Sequence, residues 1–127
     1  MESIQTGDLV LASYKTGEYI AEVVEKTPPR AVIKILAVHK HPAQGDLHHP
    51  YEPDVPFFHQ RRALAYQEKA VVMLQHLQPY HGEVPEYRAS LLEATEREIQ
   101  ALDKLKRWAE RALVEYEQLQ DDYLRAR

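Results

Sequence analysis

The chain has 127 residues, 44% of them hydrophobic and 28% charged, with a net charge of −4. These values suit a small soluble globular protein and exclude a disordered or membrane-spanning chain. There is no cysteine, which excludes disulfides, thiolate chemistry and thioether-linked lipid, and the acidic balance argues against a phosphate-binding surface for nucleic acid.

The start, Met1-Glu-Ser-Ile-Gln-Thr-Gly, has neither a basic nor an apolar signal region, so a cytoplasmic protein is expected. Gly7–Ala12 reads as a turn residue followed by a short apolar strand, and Tyr14-Lys-Thr-Gly17 as a turn. Tyr19–Glu25 is the second strand, ended by Thr27-Pro-Pro-Arg30, because proline has no N–H for a ladder. Ala31–Val38 is the third. At period two both of its faces are mostly apolar, so one should line a core while Val32, Leu36 or Val38 on the other meets the C-terminal helices.

Residues 39–60 form a long connection with four prolines and one glycine, longer than a plain linker requires. Leu47, Tyr51, Val55, Phe57 and Phe58 are expected to pin it to the body, with Phe57 or Phe58 in the core. Arg62–Ala70 reads as a fourth strand, Val71–Gln75 as one helical turn and Leu77–Tyr80 as a short closing strand. Beyond Pro85 there is no further proline and no glycine, and Ala, Leu, Glu and Arg dominate. Pro85 suits the first turn of a helix. Leu91, Leu92, Ile99 and Leu102 form one apolar stripe, and Leu105, Trp108, Ala112, Tyr116, Leu119 and Tyr123 a second. The slip in phase between them fits a kink, a helix–helix turn or local over-winding.

The expected fold is therefore α+β: a small SH3-like β-barrel over residues 1–82, with the inserted loop 39–60, and a helical region over 83–127 packed against it. The chemistry-bearing residues are sparse. His39, His41, His48, His49 and His59 cluster in or beside the loop, yet their spacing matches no closed zinc set, and no metal or other cofactor is expected. Asp46 with His48 resembles an acid–base pair, but Asp after Gly is chiefly a turn former. Ser3, Ser13 and Ser90 lie in no nucleophile context, and the four glycines build no phosphate loop, so no enzyme is expected. The aromatic group Tyr14, Tyr19, Tyr51, Phe57, Phe58 and Tyr66 points instead to partner binding. The candidate contact residues are Tyr14, Lys15, Tyr19, Asp46, His48, Phe58, His59, Arg61 and Arg62, the arginines suited to a partner carboxylate.

Three long stretches carry a resemblance: Tyr14-Lys-Thr-Gly-Glu-Tyr-Ile, Ala37-Val-His-Lys-His-Pro-Ala-Gln-Gly-Asp-Leu-His-His-Pro and Val55-Pro-Phe-Phe-His-Gln-Arg-Arg-Ala-Leu-Ala. With Pro79-Tyr80 and Pro85-Glu-Tyr, they are similar to the kinase-associated protein B family of sporulating bacilli. The resemblance implies a non-catalytic adaptor and positive regulator of a sensor histidine kinase feeding the sporulation phosphorelay. It also implies recruitment to the inner face of the membrane through a membrane-bound kinase. The family has been called lipoprotein, whereas this sequence has no lipobox. Self-association stays open. The competing reading is an SH3-like nucleic-acid or ribosome-associated module.

Overall fold

The structure is a computed structural model that describes residues 3–126; Met1 and Glu2, which open the stretch read for a signal, lie outside the described residues. The elements in order are β1 (Leu9–Tyr14), β2 (Gly17–Thr27), β3 (Arg30–Lys40), β4 (Lys69–Met73), a single 3₁₀ turn (Leu74–His76), β5 (Leu77–Pro79) and α1 (Tyr87–Arg125). The α+β class is as expected. All strands are antiparallel, in the order β4-β3-β2-β1-β5. No pairing joins β4 to β5, so the sheet is open where a closed barrel was expected. The 3₁₀ turn separates these two short edge strands.

Two tight hairpins set the register. Tyr14 faces Gly17 across Lys15-Thr16, and Thr27 faces Arg30 across Pro28-Pro29, whose peptide is cis. Three register shifts between β2 and β3 bend these 11-residue strands. Alternation then sorts the side chains: Val10, Ala12, Tyr19, Ala21, Val23, Ala31, Ile33 and Ile35 are buried in one core.

The chain falls into two compact units, one ending at Thr95 and one running from Glu96. The composition changes earlier, at Pro85, because the first turns of α1 belong to the sheet unit. There Ala94 joins the core and Tyr87 and Leu91 pack against it. Ser90 is buried, and its Oγ accepts a 2.9 Å hydrogen bond from the Val38 amide. Val38, one of the three residues expected to meet the helix, thus does so, while Val32 and Leu36 are half-buried. The second unit is helix throughout as far as Arg125, so the slip after Leu102 is neither a break nor a second helix.

Pro85 lies two residues before the helix and not in its first turn. Glu86 caps the N-terminus, its carboxylate accepting from the amides of Arg88 and Ala89 at 3.1 and 2.8 Å. The expected fourth strand begins only at Lys69. Before it, the backbone of Leu64 bonds to side chains instead of a ladder: its amide donates to the Tyr19 hydroxyl at 3.2 Å and its carbonyl accepts from the Tyr87 hydroxyl. The expected helical turn at Val71–Gln75 is strand to Met73 and a 3₁₀ turn from Leu74.

Candidate functional site: the long loop and its aromatic face

Residues 41–68 link β3 to β4 without regular structure. Ordering such a segment costs roughly 1–2 kcal/mol of backbone entropy per residue, so it must be tied down. The ties are polar. The Arg61 amide donates to Gln44 Oε1 at 2.7 Å, and Gln44 Nε2 donates back to the Arg61 carbonyl at 3.0 Å. The Gly45 amide donates to the His59 carbonyl at 2.9 Å. The Arg61 guanidinium donates to the carbonyls of Ala43 and Gly45. The Ala43 amide donates to Thr16 Oγ1 at 2.8 Å, which fastens the loop to the β1–β2 turn.

Asp46 organises the next turn. Its carboxylate accepts from the His48 amide at 2.9 Å and meets His49 Nδ1 at 3.1 Å. The His48 amide first, and then the His49 ring, hold the Asp46 carboxyl below the usual carboxylate range. This is the turn-forming role of Asp after Gly, not an acid–base pair with the His48 ring.

The five apolar side chains expected as anchors divide. Leu47 and Val55 are half-buried, but Tyr51 is 92% exposed, Phe57 72% and Phe58 64%. Neither phenylalanine is in the core. Phe57 stacks on His59 with ring centroids 6.1 Å apart and 19° between planes. Phe58 lies over Gly45: a Cβ built on that glycine would stand 2.9 Å from the Phe58 ring, and its φ of +92° also favours glycine. The aromatic rings are therefore displayed on a braced loop.

The nine candidate contact residues divide. Tyr14 is half-buried at the end of β1, and the Lys15 ammonium sits 5.5 Å from its ring centroid in the turn that Thr16 joins to the loop. His48, Phe58, His59 and Arg62 are exposed, and Asp46 is partly so. Tyr19 is withdrawn from the set: it is 1% exposed, in the core, and its hydroxyl is taken by Leu64. Burial accordingly raises its phenol, and also that of Tyr87. Arg61 is a brace whose donors point at the loop's own carbonyls. The sequence reading placed Tyr51 and Phe57 in the aromatic group but not among the contact residues, and missed the roles of Gln44 and Thr16. Among the described residues no group of three or more His, Asp or Glu side chains could hold a metal ion, and no helix is long and apolar enough to cross a membrane.

Residues 14–124, which include the whole loop, match the family described as Kinase associated protein B. The chain belongs to that family. It is 45% identical over 124 residues to the Kinase-associated lipoprotein B of Bacillus subtilis strain 168, covering 97% of each chain. It is also similar to a solved structure, the X-ray crystal structure of kinase-associated protein B from Bacillus cereus. That match has a TM-score of 0.69 and 38% identity, covering 95% of this chain and 98% of that one.

Proposed function

We propose that this protein is a non-catalytic adaptor, a positive regulator that binds a sensor histidine kinase of the sporulation phosphorelay through the loop face bearing Phe57, Phe58, His59 and Arg62. The observation that carries this is the exposure of Tyr51, Phe57 and Phe58 on a loop held by main-chain and arginine hydrogen bonds. Exposed aromatic rings that are already ordered lose little conformational entropy on binding, so most of the contact gain survives as affinity. The family supports association with a kinase. Binding that prefers one kinase conformation shifts its population toward that state, which is how a protein without catalytic groups regulates an enzyme.

We read the bent meander with its 3₁₀ turn before β5 as an SH3-like framework, and the adaptor as cytoplasmic, brought to the membrane by its kinase. Its sheet presents the β1–β2 turn, with Tyr14 and Lys15, beside the loop that Thr16 fastens. The test is phosphoryl flow from the purified kinase to its response regulator. Wild-type protein is expected to raise it, and Phe57→Ala with Phe58→Ala to abolish the increase at unchanged melting temperature. An equal response from the double variant rejects this surface.

A further inference from the structure

The second unit, taken by itself, is a helix with no buried residue among those described. Yet it carries a continuous apolar seam. Leu102, Leu105, Ala109, Ala112, Tyr116, Leu119 and Tyr123 follow each other at alternating spacings of three and four residues, which is the heptad pattern of two helices that wrap round one another. Leu102, Leu105, Tyr116 and Tyr123 are each more than half exposed. The 22 residues from first to last span about 32 Å of helix. An apolar stripe of that length requires a cover.

The charges say what fits. Residues 103–111 hold four basic side chains (Lys104, Lys106, Arg107, Arg111) and two acidic ones, a net of +2. Residues 113–125 hold Glu115, Glu117, Asp121 and Asp122 against Arg125, a net of −3. A second copy laid parallel would set like charge on like. Laid antiparallel, each basic stretch meets an acidic one.

We propose that Leu102–Leu119 pairs antiparallel with the same segment of a second copy of this chain. The two-fold axis passes between Ala109 and Ala112, whose small side chains let the backbones approach. In this register Ala109 faces Ala112 of the other copy, Leu105 faces Tyr116 and Leu102 faces Leu119. The flank of the seam that carries Lys106 and Leu113 then meets the same flank of the other copy, with Lys106 beside Leu113. The opposed charge of the two stretches sets orientation more than affinity.

The test uses the full chain. Sedimentation equilibrium from micromolar to sub-millimolar concentration is expected to give a dimer. Ala112→Glu, a change an exposed monomeric helix tolerates, is expected to give a monomer with an unaltered circular dichroism spectrum. Because the chain has no cysteine, Lys106→Cys mixed with Leu113→Cys is expected to form the mixed disulfide dimer in preference to either homodimer. A monomeric wild type, a dimeric and folded Ala112→Glu, or a dominant Lys106→Cys homodimer would each overturn the proposal; the first would leave the seam to a different protein.

Discussion

Ser90→Ala tests the attachment of α1 to the sheet. Ser90 Oγ accepts from the Val38 amide at 2.9 Å and donates to the Tyr87 carbonyl at 2.7 Å, and both Ser90 and Val38 are buried. Removing the hydroxyl takes from the buried Val38 N–H the acceptor it uses. An orphaned buried donor costs about 1–3 kcal/mol. The Tyr87 carbonyl loses only a second partner, and alanine slightly favours the helix, so the low half of that range is expected. For a unit of this size each kcal/mol lowers Tm by roughly 4–8 °C. Thr95→Ala is the matched control: its hydroxyl donates to the Leu91 carbonyl within the helix, so no buried donor is orphaned. The assay is thermal and urea denaturation of both variants followed by circular dichroism. A Ser90→Ala protein as stable as Thr95→Ala would refute the claim that the Val38 amide depends on Ser90.

Arg61→Ala should destabilise the loop by about 1–2 kcal/mol, because charge-assisted bonds to the Ala43 and Gly45 carbonyls disappear from a half-buried position. Arg62→Ala should stay within about 0.5 kcal/mol of wild type, and hydrogen exchange across residues 43–61 separates the two outcomes. Asp46 carries a pH dependence whose sign follows from its lowered carboxyl. Its stabilisation of the turn is complete above the ordinary carboxylate value near about 3.9 and is lost as pH falls through the depressed value. The amide resonances of His48 and His49 report this on acid titration, and Asp46→Ala should reproduce the low-pH pattern at neutral pH.

The first three strands were legible because period-two alternation and Gly or Pro turns are local signals. Of Val32, Leu36 and Val38, read from the two-sided apolar pattern as facing the helix, Val38 is bonded to it through its backbone amide, while Val32 and Leu36 are half-buried. The loop was misjudged for a physical reason. Apolar side chains were taken as anchors, whereas the backbone is fixed by Gln44, Arg61 and Thr16 through bonds that no hydropathy pattern reveals. Tyr19 was misplaced by the same logic reversed: an aromatic ring beside candidate contact residues is also what a strand needs to fill a core. Leu64 left the expected strand because two tyrosines distant in sequence grip its backbone. The slip in phase after Leu102 left a helix–helix turn open, which the continuous α1 excludes.

The most direct test of the adaptor reading is the affinity of the full chain for the cytoplasmic part of a sporulation sensor histidine kinase, measured by calorimetry for wild type and for Phe57→Ala with Phe58→Ala. Two exposed rings at the centre of an interface are expected to contribute at least about 1.4 kcal/mol together, so the double variant should bind at least about tenfold more weakly with unchanged Tm. A double variant that binds as wild type does, or a wild type that shows no heat of binding to the kinase, would contradict it.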